Sequence, residues 1–167
     1  MNAQVKPKPQ DRLSAELRAE MDREIAKYPA DKKRAAVMAG LRVVQEKHGW
    51  LTPELIEAVA DYLEIPAVRA MEVATFYSMY NLEKVGKYKI DMCTNISCML
   101  CGSDAVVARL EQQLGCKLGE TTADGKITLK EVECLGACVN GPVAQIGKKS
   151  YENLTPQKVD EILKELK

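Results

Sequence analysis

An excess of charge of either sign is missing from this chain. Its 167 residues carry 24 lysines and arginines against 24 aspartates and glutamates. Such a balance leaves no electrostatic footprint for nucleic acid or for an anionic lipid surface. No nucleic-acid partner is expected, and any partner should be met through shape and local contacts. Long apolar runs are missing too. None approaches the roughly 20 residues that span a bilayer, so direct membrane insertion is not expected. The opening "MNAQVKPKPQDR" has no apolar stretch that could serve as a secretory signal. The cysteines are therefore expected to face a reducing compartment, the cytoplasm, where a disulfide framework is disfavoured.

Histidine is nearly absent. The single one, His48, falls at a predicted helix C-terminus, where a cation is mildly favoured. Ser–His or Cys–His catalysis has little material to work with, and no catalytic residue is assigned. The chain has ten glycines, yet none form G-x-G-x-x-G or G-x-x-x-x-G-K-[ST]. A nicotinamide or phosphate cradle is therefore not expected here. Cysteine is absent from the first 92 residues and abundant after them.

The chain reads as an α+β protein in three stretches. Residues 1–10 are rich in lysine and proline with little to bury, and should be a disordered lead-in. Residues 11–85 should be a helical region. Leu13, Leu17, Met21 and Ile25 recur every four residues; Val37, Leu41 and Val44 mark a second helix. Thr52 followed by Pro53 is a strong start for a third, and Pro66 opens a fourth. Phe76, Tyr77 and Tyr80 are spaced for core or inter-helix packing. The stripes of this region are expected to need a partner's surface, since a helical arm lacks a large core of its own.

The texture changes near Gly86, and residues 86–167 should be a second domain. "KYKIDM" alternates as a strand does and runs straight into Cys93. Ser103 should cap a helix carrying Val107, Leu110 and Leu114. "CKLG" has the look of a short strand, and "KITLKEV" of a longer one. "VAQI" is another strand, and Thr155 with Pro156 starts a last helix. The order is β-α-β, then β-β-α.

Six cysteines remain to be explained: Cys93, Cys98, Cys101, Cys116, Cys134 and Cys138. Cys93 and Cys98 are spaced C-x4-C, and Cys134 and Cys138 are spaced C-x3-C. Each pair follows a predicted strand, so both can lie in loops at one end of a sheet. Four thiolates from two loops suit a metal centre. Zinc accepts such spacings, and Cys98-x2-Cys101 has its common form. The same C-x-x-C serves thiol–disulfide exchange. A [2Fe–2S] cluster takes four cysteines. Spacing leaves all three open. An anionic cluster would be helped by the helix expected to start near Ser103, with its N-terminus toward Cys98. No lysine or arginine lies between 93 and 101 or between 134 and 138, which should keep a cluster's potential low.

The stretches "DMCTNISCMLCGSD", "EVECLGACVNGPVAQI" and "YENLTP" resemble the 24 kDa subunit family of respiratory NADH:quinone oxidoreductase (complex I). "HGWLTPELIEAVADYLEIP" and "EVATFYSMYNLEKVGKY" extend the resemblance from about residue 30 to the end. Equivalent subunits of NAD-linked hydrogenases and formate dehydrogenases share the pattern. The resemblance implies a helical region followed by a thioredoxin-like domain that holds one [2Fe–2S] cluster. By motif match its ligands are Cys93, Cys98, Cys134 and Cys138, with Cys101 outside the set and Cys116 a buried structural thiol. It further implies single-electron exchange with FMN on a neighbouring NADH-binding subunit. The chain would then lie on the cytoplasmic side, in the peripheral arm of a membrane-bound complex. The reading of another class is a zinc-stapled thioredoxin-like adaptor with no redox role.

Overall fold

The computed structural model describes residues 12–166, so the lead-in expected at 1–10 lies outside the described residues. Two compact units divide between Lys84 and Val85.

The first unit is helical. Helix α1 (Ala15–Ile25) starts on Ser14, whose hydroxyl accepts from the Leu17 N–H. A 3₁₀ stretch (Ala30–Ala36) leads into α2 (Val37–His48). Gly49 ends α2 with a left-handed φ of 83°, a conformation in which glycine meets no Cβ penalty. Thr52 caps α3 (Pro53–Tyr62), with proline at its first position as the sequence predicts. Pro66 precedes α4 (Ala67–Phe76). Leu17, Met21, Leu41, Val44, Ile56 and Val59 are all buried in one shared core. This corrects the expectation of an arm without a core: the stripes face one another. It also divides the aromatic group. Tyr80 is buried and its hydroxyl donates to the Met38 carbonyl at 2.9 Å, whereas Tyr77 and Phe76 are exposed, Phe76 to 80%. Spacing cannot distinguish an inward stripe from an outward one.

The second unit is built on a four-stranded sheet. Strands β1 (Tyr88–Cys93), β2 (Ile127–Val132), β3 (Ala144–Ile146) and β4 (Lys149–Tyr151) lie in the order β2-β1-β3-β4. β1 and β2 are parallel; β3 is antiparallel to β1 and β4 to β3. Two helices precede β2: the short α5 (Ile96–Leu100) and then α6 (Ser103–Leu114). α7 (Pro156–Glu165) follows β4. Ile90 and Met92 of β1 alternate into a core with Leu129, with Val106 and Leu110 of α6, and with Val159 and Leu163 of α7. Arg109 of α6 grips Asp160 of α7 through two hydrogen bonds of 2.8 and 2.7 Å. At Gly86, just before β1, any Cβ would come within 2.6 Å of the Lys126 carbonyl oxygen, so only glycine fits this approach.

Two local expectations fail. Ser103 is the first residue of α6 rather than its cap; Gly102 holds the cap position at a φ of 92°. The buried Ser103 hydroxyl has no hydrogen-bond partner among the described residues. "CKLG" is not a strand. The Glu120 carboxylate takes the Lys117 N–H and the Glu111 carboxylate takes the Leu118 N–H, so neither is available to a ladder. Among the described residues, no helix is long and apolar enough to cross a membrane.

Candidate metal centre

The site follows from strand register. In the parallel β1–β2 pair, Cys93 stands opposite Val132, each the last residue of its strand. Both chains leave the sheet at the same end. The Thr94 N–H donates to the Val132 carbonyl at 3.2 Å, which holds the two exits together. One exit leads within five residues to Cys98, the other within six to Cys138.

A third segment closes the interior side. The peptide bond Gly141–Pro142 is cis, and the carbonyl of Val143, the residue after Pro142, accepts from the Cys93 N–H at 3.0 Å. Cys93, Cys98 and Val143 form a small buried cluster, with Leu135 and Ala137 against it. The Cys93 thiol donates to the Glu133 carbonyl. Burial, with a hydrogen bond to Cys93 second, pushes the Cys98 thiol up to about 11.

Cys98 owes its inward position to α5. Asn95 caps that helix with its side-chain oxygen on the Ile96 N–H at 2.7 Å, and its amide group donates to Glu133 at 2.9 Å. A helix inside the C-x4-C spacing turns Cys98 inward while Ile96, Met99 and Leu100 point out. Five residues are too few for periodicity to reveal, and Asn95 is the only signal.

The second pair is exposed. The Cys134 and Cys138 sulfurs lie 3.4 Å apart, and the Gly136 N–H donates to the Cys134 sulfur at 3.3 Å. That N–H, followed by the contact with Cys138, lowers the Cys134 thiol below its usual range. Cys138 moves up, through its hydrogen bond to Cys134 and then that neighbour's charge. Smaller electrostatic effects link Cys138 to Cys98 and to Cys93. The structure thus gathers the four predicted positions as two pairs at one end of the sheet. Among the described residues, no three cysteine, histidine or carboxylate side chains converge as a single-ion site requires.

Two pairs suit a two-iron centre, in which each iron takes two thiolates. The buried pair and the Gly136 amide supply what a cluster needs from protein: desolvation on one side and an N–H aimed at sulfur on the other. The residues present therefore fit a [2Fe–2S] group. Thiol exchange fits poorly, because it needs an accessible thiolate and Cys98 is buried with its thiol pushed up. Cys101 is exposed and packs on Gly141, where a Cβ would lie 3.5 Å from its sulfur. Cys116 is a core thiol, as expected, and burial raises it.

Comparison with known proteins supplies the chain's family. The model of the thioredoxin-like [2Fe–2S] ferredoxin family matches residues 21–167. The E-type NADH-quinone oxidoreductase subunit of Rickettsia felis is 52% identical over 142 residues, covering 84% of this chain and 85% of its own. An E-type NADH-quinone oxidoreductase subunit of Rhizobium meliloti is 42% identical over 147 residues, covering 88% and 86%. Among solved structures, a chain of an NAD+-reducing [NiFe]-hydrogenase superposes with a TM-score of 0.67 at 18% identity. It covers 78% of this chain and 22% of that one, a likeness of fold. The chain belongs to the thioredoxin-like [2Fe–2S] ferredoxin family and, within it, is akin to the E-type subunits of NADH-quinone oxidoreductase.

Proposed function

We propose that this chain is the electron-transfer subunit of an NADH:quinone oxidoreductase. In this reading it holds one [2Fe–2S] cluster on Cys93, Cys98, Cys134 and Cys138, beside FMN on a neighbouring NADH-binding subunit in the peripheral, cytoplasmic arm. The observation that carries the reading is the pairing of the two thiol loops at the β1–β2 exit, in a chain about half identical to named NADH-quinone oxidoreductase subunits.

When bound, such a cluster supplies storage and transfer of one electron at a time. The chain's own residues do the rest. Cys93 and Cys98 would hold the group from the buried side, where Val143, Leu135 and Ala137 exclude water. Cys134 and Cys138 would hold it from the surface, which would leave a short path to a donor docked there. The Gly136 N–H stabilises thiolate charge at Cys134. The nearest residues carry no lysine or arginine to favour a reduced, more anionic state.

A hydride brings two electrons, so a flavin must divide the pair before this chain receives one. The test is anaerobic and spectroscopic. NADH added to the cluster-loaded chain alone should leave its visible and EPR spectra unchanged. Adding the flavoprotein subunit should permit exchange, read in either direction from dithionite-reduced cluster to flavin or from NADH to cluster. Direct reduction by NADH in a flavin-free sample would refute the division of labour.

A further inference from the structure

The face around the thiol loops carries an unusual combination of side chains. Ile96, Met99 and Leu100 lie outward on α5, and Val139 follows Cys138 directly. Leu100 is 78% exposed and Val139 97%. Apolar side chains bared this fully, in contiguous loops beside a reactive centre, mark a contact surface. The residues beside them decide what kind of surface meets it.

Three carboxylates flank the same loops. Glu131 accepts from the Thr94 hydroxyl at 2.5 Å, Glu133 from the Asn95 amide at 2.9 Å and Glu152 from the Asn140 amide at 2.6 Å. All three donors are neutral side chains. The donors sit next to the ligand positions or the apolar side chains: Thr94 beside Cys93, Asn95 beside Ile96, and Asn140 beside Val139. Elsewhere on this unit carboxylates pair with cations, as Glu111 does with Lys117 and Asp160 with Arg109. No lysine or arginine occurs from residue 131 to 147 or from 90 to 108. The neutral donors fix the carboxylates in place without neutralising them; at Glu152 the Lys158 ammonium comes near, on that residue's backbone carbonyl at 3.4 Å, while Glu131 and Glu133 are held by neutral groups alone.

We infer that this face is a docking surface for a partner that presents an apolar centre ringed by arginine or lysine. The inference rests on the electron-transfer reading above and specifies the chemistry of the partner face that meets the cluster loops. The apolar centre supplies contact and water exclusion over the shortest route to Cys134 and Cys138. The rim supplies orientation and speed, because rim charges act mainly on association rate and register. A negative rim also disfavours unproductive contact with acidic surfaces.

The test uses the full, cluster-loaded chain and the purified NADH-oxidising flavoprotein subunit of the same complex. Binding is measured by titration across a range of sodium chloride. Two variants are compared with the natural chain: a triple Glu131→Gln, Glu133→Gln, Glu152→Gln, and a double Leu100→Ser, Val139→Ser. The visible and EPR spectra of each confirm an intact cluster. The natural chain should bind more weakly as salt rises. The triple variant should lose about tenfold in low-salt affinity, as three rim pairs of modest strength imply, and its salt dependence should flatten. The double variant should lose affinity with its salt dependence unchanged. Wild-type affinity and salt dependence in the triple variant overturn the inference, as does an absence of binding by the natural chain. Salt-sensitive binding with no electron exchange in either direction would leave the surface standing and remove the electron-transfer role. Exchange with salt-insensitive binding would do the reverse.

Discussion

Cys93 and Val132 are register partners at the last rung of the parallel β1–β2 ladder. From that rung the chain reaches Cys134 in two residues on one side, while Cys93 is itself a candidate ligand on the other. The site is thus anchored to a rigid element rather than to loop conformation alone, which is what a constellation of fixed geometry needs.

This anchoring makes the cysteines unequal. Replacing Cys93, Cys98, Cys134 or Cys138 by alanine should abolish or badly destabilise cluster loading, because each removes one of the four iron–thiolate bonds to the protein. Cys101→Ala should load normally, since its thiol packs outward on Gly141. Iron content and the visible spectrum after anaerobic reconstitution check this. Bleaching by Cys101→Ala with a normal Cys134→Ala would assign the ligands to a C-x4-C-x2-C run instead.

The sheet core should tolerate little. Leu129 of β2 is fully buried at the centre of the second unit's core. Leu129→Ala should destabilise that unit by about 2–5 kcal/mol, the transfer and cavity loss for a buried leucine. Urea denaturation followed by circular dichroism would measure it. A loss below about 1 kcal/mol would mean that the core relaxes around the gap far better than cores usually do.

The α6–α7 clasp should be sensitive to acid. Asp160 is held below the usual carboxylate range, first by its hydrogen bonds from Arg109 and then against a smaller burial effect. A depressed folded pKa contributes stability that is present above the unfolded value and is lost as pH falls through the folded one. Asp160→Asn should therefore be less stable than the natural chain at neutral pH, and the gap should close toward acid. A gap that persists unchanged in acid would mean that packing of the side chain, not its charge, holds the helices.

Much of this was legible in the sequence, for identifiable reasons. Thr52 with Pro53 and Thr155 with Pro156 start helices as expected, because a cap is a local bond to a neighbouring N–H. β1 and β2 were visible because Ile90, Met92 and Leu129 enter the core while polar Lys89, Asp91, Thr128 and Lys130 alternate with them along the strands. What escaped depended on distant or compensating contacts. α5 is too short to show a period. Ser103 is a good cap by type, but the left-handed Gly102 occupies that place. "CKLG" has strand composition, yet two glutamate side chains take the backbone N–H groups of Lys117 and Leu118. Phe76 shares its stripe's spacing with buried residues and is exposed. For the metal centre, the cysteines themselves were visible, and so was Gly136, which lacks a Cβ and lets a backbone amide approach sulfur, as its N–H does at Cys134; the Val143 carbonyl was not, because it is a backbone contribution from a distant segment.

The most direct measurement is the metal and sulfide content of the full chain, purified without exposure to oxygen. The account predicts about two iron and two acid-labile sulfide per chain, lost together when any of the four proposed ligands is removed. One zinc per chain with no labile sulfide would contradict it, and so would a four-iron count.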